Sequence, residues 1–336
     1  MVNSLEMKYF VSRNQCPSCL SNNSQSVYRK KFNEDPIKKY LEEFYNSQGF
    51  IELEYLEETF YELMECNDCT LVYQKYIPNN FLMTKLYNEW ISPEVIQNEV
   101  EKNHSLSFYF SLSKQIHKIC KTLDKKPSEL RVLDFGMGWG RWCKMASAFG
   151  IETFGVEISD ERIQHAKKYG IQNLSLDALG KNTFDFINTD QVFEHIPNPN
   201  EVLQILESSL KPGGLLKISV PDGNLVKEKL RIMNWDAPKN HPDSLNIVAP
   251  LEHINCFTTK SLIDLAEMNG LKWYFLPFYP LIDEVVDLPS LKNNIKTAFQ
   301  IPKQLIGPFW KKGRELLGKV YVEKPRGTNL YFQKEL

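Results

Sequence analysis

The stretch RVLDFGMGWGRW, Arg131 to Trp142, decides how the chain is read. Arg131–Phe135 reads as an apolar strand with Asp134 near its end. Gly136, Gly138 and Gly140 follow, separated by Met137 and Trp139. A glycine-rich turn between a strand and a helix brings backbone N–H groups and a helix N-terminus close to a ligand. Dinucleotide-binding turns use glycine at the first, third and sixth positions, and the sixth residue from Gly136 is Arg141. A carboxylate at Asp134 would also repel a pyrophosphate and attract a cation.

The next strand, ETFGVEI, ends at Glu157, where an acid accepts hydrogen bonds from both ribose hydroxyls. Asp177 follows the third strand, NLSL, where a carboxylate accepts from an adenine amino group. Further strands are expected at FDFINT, LLKISVP and LKWYFLPFY, and a final edge strand at TNLYFQKEL. Helical stretches lie between them, two of them closing at Gly150 and Gly170. The alternation predicts a parallel sheet covered on both faces. Acids at the tips of consecutive strands then point to S-adenosylmethionine, which carries an ammonium and a sulfonium and no phosphate.

The stretches VLDFGMGWGRW, GVEIS, FDFINTDQVFEHIPNP, LKPGGLLKISVP and LEHINCFTTKSL together resemble the class I S-adenosylmethionine-dependent methyltransferases. The resemblance implies an α/β fold with a doubly wound, seven-stranded Rossmann-like sheet whose last strand is antiparallel. It implies that Asp134, Gly136, Gly138 and Gly140 line the methionine part of the cofactor. By it, Glu157 holds the ribose, Ile158 lies beside the adenine, Asp177 and Ala178 flank the base, and Asp190 faces the methyl-transfer region. Met137 stands where cysteine or alanine is commoner, and Trp139 is bulkier than usual.

Four of the seven cysteines form two C-x-x-C pairs, Cys16/Cys19 and Cys66/Cys69. Two such knuckles on separate loops are the usual source of a four-thiolate structural zinc site. Cys120, Cys143 and Cys256 stand alone and are expected as small buried apolar residues. The stretches CPSC, YELMECNDCTLVYQKYIP and LYNEW resemble the zinc-binding N-terminal segment of methyltransferases that modify sugars in polysaccharide and antibiotic pathways. This implies that the segment helps to form the acceptor pocket.

The expected organisation is a zinc-ribbon-like module at 1–88, a helical connector at 89–128 and a methyltransferase domain at 129–279 with 322–336. A basic helical insertion occupies 280–321. The polar segment after Pro221 is expected as a long lid-like loop.

Methyl transfer is an in-line displacement, and an alcohol acceptor benefits from a general base. His195 and His253 are the candidate bases, with Asp190 beside the transfer path. Asp190, Glu194 and His195 could instead gather a divalent cation.

Apolar residues make up 42% of the chain and charged residues 24%, with a net charge of −2, an ordinary globular composition with no general drive toward nucleic acid. No apolar run approaches the ~20 residues of a membrane span, and the N-terminus lacks the pattern of a signal peptide. A cytoplasmic enzyme is therefore expected. The expected acceptor is a nucleotide-linked, phosphorylated or lipid-linked sugar. Residues 291–320, rich in lysine and arginine, would meet an anionic acceptor, a membrane surface or only the sheet edge. The alternatives are an RNA methyltransferase gripping RNA through the zinc module, which the acidity of Glu34–Glu65 disfavours, and a non-catalytic cofactor-binding partner, which the intact glycine loop disfavours.

Overall fold

The computed structural model describes residues 8–46, 50–91, 105–239, 241–276 and 327–336. The basic insertion expected at 280–321 and the 92–104 part of the connector lie outside these residues.

The N-terminal part carries β1 (Phe10–Ser12), β2 (Ser24–Lys31), α1 (Ile37–Asn46), β3 (Phe60–Cys66), β4 (Val72–Gln74), β5 (Tyr76–Pro78) and α2 (Asn80–Lys85). A single π-turn, Leu86–Trp90, closes it. After α3 (Leu106–Leu123) the expected alternation begins: β6 (Arg131–Phe135), α4 (Arg141–Ala148), β7 (Glu152–Val156), α5 (Asp160–Lys167), β8 (Gln172–Asn173), β9 (Phe184–Asp190), α6 (Pro199–Ser209) and β10 (Leu210–Pro221). The chain continues through α7 (Val226–Ile232), β11 (Asn255–Cys256), α8 (Thr259–Met268), β12 (Leu271–Tyr274) and β13 (Gly327–Lys334).

Seven strands form one sheet in the order β12-β13-β10-β9-β6-β7-β8. Strands β6 to β10 run parallel to one another, and β13 runs antiparallel to both β10 and β12. This is the expected doubly wound sheet with an antiparallel last strand. Its strands are apolar on both faces because both are covered. Leu133, Ile187 and Leu216 pack with Leu203 and Leu206 of α6 and Leu262 and Leu265 of α8. One residue earlier on each strand, Val132, Phe186 and Leu215 pack with Ile116 and Ile119 of α3 and Trp142 of α4. The strand order reverses between β6 and β9, which opens a crevice at their C-terminal ends.

Three local expectations need correction. The final strand is not at the edge, because β13 inserts between β10 and β12, where its buried Phe332 joins the core. LVYQKYIP, which reads as one short strand closed by Pro78, is broken at Lys75, and β4 and β5 pair with different strands. The segment after Pro221 is not a bare lid. Val226, Leu230, Trp235, Leu245, Val248 and Leu251 are buried in one core with Phe32, Leu41 and Tyr61 of the N-terminal part. Apolar residues scattered singly among polar ones hid this core from a periodicity reading.

The same segment returns β11 to the N-terminal sheet, whose order is β11-β4-β3-β2. Arg13 fastens this junction. Its guanidinium donates to the Gln74 carbonyl (2.6 and 2.9 Å), the Ile254 carbonyl (2.6 Å) and Asn255 Oδ1 (2.7 Å). Asn255 Nδ2 donates onward to the carbonyls of Phe193 (3.1 Å) and Ile196 (2.7 Å). Arg13→Met strands these acceptors and is expected to cost on the order of 3 kcal/mol. A thermal melt would read this as a clear drop in midpoint, and an unchanged melt would contradict the role. No described helix is long and apolar enough to cross a membrane.

Candidate active site

The glycine loop leaves β6 through three alternating left-handed glycines, Gly136, Gly138 and Gly140, at φ +74°, +53° and +70°. A Cβ on Gly136 would collide with the Val192 side chain. Gly138 differs. Among the described residues no atom lies within 4 Å of the place its Cβ would take, so the loop leaves room there for a ligand. Met137, unexpected from the resemblance, covers Gly155 of β7 so closely that any side chain at 155 would clash with its sulfur. Trp139 packs edge-on against His165 of α5 at 5.2 Å between ring centroids.

Asp134 is buried beside this loop. Its Oδ1 accepts from Asn188 Nδ2 (2.7 Å), and its Oδ2 lies 3.6 Å from the Cys143 sulfur. Burial pushes its pKa up to about 6, against the Asn188 hydrogen bond. Glu157 stands at the tip of β7 with its carboxylate turned inward. It accepts from the backbone N–H groups of Gly138 (2.9 Å), Ile158 (2.8 Å) and Ser159 (3.0 Å), so it ties the β6 loop to the β7 loop. Ile158 is 89% exposed, an apolar side chain lying open beside that crevice. The strand expected at NLSL is shorter and earlier, Gln172–Asn173, so Asp177 and Ala178 fall on a 3-10 turn and are exposed. Asp190 ends β9 with a half-exposed side chain, and the next residue, Gln191, adopts a left-handed φ of +57°. Such strain in a non-glycine residue is common where a site needs it.

Beyond Gln191 the chain meets the N-terminal part. His195 Nδ1 donates to the Glu252 carbonyl at 2.9 Å, with the Tyr87 hydroxyl 3.3 Å away. That bond leaves Nε2 as the lone-pair nitrogen, 3.8 Å from Glu194 Oε1. The His195 and His253 rings meet edge to face at 5.0 Å. Burial lowers the pKa of His195 to about 4 and that of His253 to about 3, with His195 adding to the second shift. Burial raises Glu194 to about 8, and neither of its oxygens has a hydrogen-bond partner among the described residues. Glu252 Oε1 accepts from Tyr45 (2.8 Å). The structure thus joins both candidate bases in one cluster. It also corrects the expected cation set: the third group within 4.8 Å of Glu194 and His195 is His253, not Asp190. Tyr87, Tyr45 and Glu252 were missed in the sequence. The only local signal was the aromatic LYNEW, which forms the π-turn, a feature frequent at functional sites.

Residues 109–274 match a family model described as a methyltransferase domain. This is a class I, S-adenosylmethionine-dependent methyltransferase domain. The methyltransferase resembles the ubiquinone biosynthesis O-methyltransferase of Idiomarina loihiensis, 23% identical over 175 residues, 47% of this chain and 71% of that protein. It resembles the protein of the same name from Shewanella halifaxensis at 28% identity over 184 residues, 50% of this chain and 75% of that protein. Among solved structures, the plantazolicin methyltransferase BpumL in complex with SAH is 16% identical, with a TM-score of 0.46, covering 76% of this chain and 94% of that one.

In the methyltransferase the four paired cysteines converge. All four sulfurs lie within 4.8 Å of one another, with Cys16–Cys69 and Cys19–Cys66 both at 3.5 Å. Four sulfurs bonded tetrahedrally to zinc at ~2.3 Å would stand about 3.8 Å apart, so the donor set fits that ion. The knuckles dock on the N-terminus of α8: Ser18 donates to the Ser261 carbonyl (3.0 Å), Thr70 meets Thr258 (2.8 Å), and Lys260 donates to the Asp68 carbonyl (2.9 Å).

Proposed function

We propose that the enzyme transfers the methyl group of S-adenosylmethionine to a polar small molecule of the activated-sugar class, with His195 or His253 taking the acceptor's proton. The observation that carries this reading is the joined pair of neutral imidazoles, His195 on the turn that follows β9 and His253 packed against it from the segment before β11. S-adenosylmethionine supplies an electrophilic methyl group, and the protein's own residues do the rest. Asp134 and the open Gly138 face would hold the methionine end, Glu157 the ribose, and Ile158, Asp177 and Ala178 the base. A neutral imidazole accepts a proton, and the cation so formed on His195 would lie against Glu194, the buried carboxyl that lacks a partner. Each group's shift opposes its charged form, and the pair relieves both.

Zinc in the four-cysteine site would be structural, since four thiolates leave no open position. It would anchor the module that supplies Tyr87 and Tyr45. The sugar class rests on the likeness of that module to sugar-modifying enzymes.

A second reading follows from the curated relatives, whose names would place the acceptor oxygen in ubiquinone biosynthesis. Purified enzyme incubated with methyl-labelled S-adenosylmethionine and a panel of nucleotide-sugars, sugar phosphates, a ubiquinone precursor and small RNAs separates the readings. Label in a sugar supports the first. Label confined to the ubiquinone precursor or to RNA would replace it.

Glu157→Gln tests the cofactor assignment. Losing a charge-assisted ribose contact is worth roughly 1.5–3 kcal/mol, so S-adenosylmethionine should bind about 10- to 100-fold more weakly in a variant that still folds, with a lower melting midpoint from the weakened tie between the two loops. Wild-type affinity in this variant would count against Glu157.

A further inference from the structure

Lys217 is an anomaly in strand β10. Its neighbours Leu215, Leu216, Ile218 and Val220 are fully buried and apolar, and Lys217 itself is only 6% exposed. A buried lysine is costly unless charge and hydrogen bonding compensate it. The compensation lies in one row across three adjacent strands. Asp134 on β6 is in register with Asn188 on β9, and Asn188 is in register with Lys217 on β10. Lys217 Nζ donates to Asn188 Oδ1 at 3.2 Å, and Asn188 Nδ2 donates to Asp134 Oδ1 at 2.7 Å. Lys217 Nζ also stands 3.6 Å from Asp190 Oδ2 at the end of β9.

We propose that Lys217 is a positioning residue of the cofactor site: it fixes the Asn188 amide so that its NH2 group faces Asp134, and it holds Asp190 at the crevice mouth. An amide side chain can turn either end toward a neighbour. A buried ammonium permits only one choice, with the carbonyl toward itself and the NH2 toward the carboxylate. Asp134 therefore meets the cationic end of the cofactor in its ionised form, with its free lone pairs directed away from Asn188.

The groups facing Asp134 are Cys143 from α4, Asn188 and Asp190 from β9, and Lys217 from β10; its register partner on β7 is Gly155, which adds none. Burial and Asp190 oppose its ionisation, while Asn188, Lys217 and Cys143 favour it. Removing Lys217 deletes a nearby cation and frees the amide to present its carbonyl. Both changes make Asp134 harder to ionise, so a cationic ligand is lost at a higher pH.

The inference rests on the assignment of Asp134 to the methionine end of the cofactor, and the test separates the two. S-adenosylmethionine affinity is measured by calorimetry from pH 5 to 7.5 for the wild type, Lys217→Met, Lys217→Arg, Asn188→Leu and Asp134→Asn, with a thermal melt of each. Methionine suits the apolar strand, so Lys217→Met is expected to fold. In the wild type, affinity should fall as pH drops through about 6. In Lys217→Met that fall should move up by about one pH unit, with affinity within about threefold of wild type at pH 7.5. Asn188→Leu should move it the same way, and Lys217→Arg should restore the wild-type profile. Coincident profiles for Lys217→Met and wild type, or an equal loss at every pH with a lowered melt, would overturn the inference alone. A fall that survives Asp134→Asn would overturn the assignment of Asp134 and the inference with it.

Discussion

Cys66→Ser is expected to unfold the N-terminal module and reduce methyl transfer by more than about 100-fold. The magnitude follows from what zinc on the four sulfurs would contribute. Structural zinc contributes about 10–16 kcal/mol of apparent binding energy to small modules of this kind, which is folding energy for the module. Without metal, burial pushes the Cys19 thiol up to about 12. The knuckles bind the N-terminus of α8, and β4 pairs with β11, which begins two residues after His253. Losing the site would therefore release the segment that carries a candidate base, though it lies outside the seven-stranded sheet. Metal analysis should find one zinc per chain in the wild type and little in the variant. A strong chelator should lower the melting midpoint of the wild type, and acid should assist it by protonating the thiolates. A metal-free wild-type protein with an undiminished melt and full activity would refute the structural role.

The second large effect is expected at the histidine pair. General-base catalysis contributes typically 10²- to 10⁴-fold, and His253→Gln should lower kcat within that range if His253 is the base, while leaving S-adenosylmethionine affinity close to wild type. His195→Asn is the companion variant. It keeps a donor toward the Glu252 carbonyl, so the loop stays in place while the Nε2 lone pair is lost. If His195 is the base, this variant carries the larger loss; if His253 is, His253→Gln does. Both imidazoles are neutral in the free enzyme down to about pH 4, so they impose no acid limb between pH 5 and 7. An acid limb near 6 on kcat/KM would belong to Asp134 and cofactor binding. Equal activity of both variants and the wild type would remove proton abstraction from the mechanism.

Much of this was written locally in the chain. The glycine loop, Asp134 and Glu157 sit at a strand–turn–helix junction, where neighbouring residues dictate the conformation. The cysteine pairs announce themselves by spacing. What stayed hidden depends on register and on contacts between distant segments. The row from Asp134 through Asn188 to Lys217 exists only because three strands align at one level. Lys217 alone reads as an ordinary charged residue in LLKISVP. β11 is two residues long and pairs with a strand some 180 positions earlier, beyond any periodicity. Tyr87 reaches His195 because the N-terminal module folds over the end of β9. β13 escaped correct placement for the same reason, since a strand's own sequence does not say which neighbours flank it.

One titration bears hardest on the claim that strand-tip acids choose a sulfonium nucleoside. The purified chain is titrated calorimetrically at neutral pH with S-adenosylmethionine and, separately, with a nicotinamide dinucleotide. Saturable binding of one S-adenosylmethionine per chain, with no heat from the dinucleotide, is the predicted outcome. Saturable dinucleotide binding, with none for S-adenosylmethionine, would contradict the account.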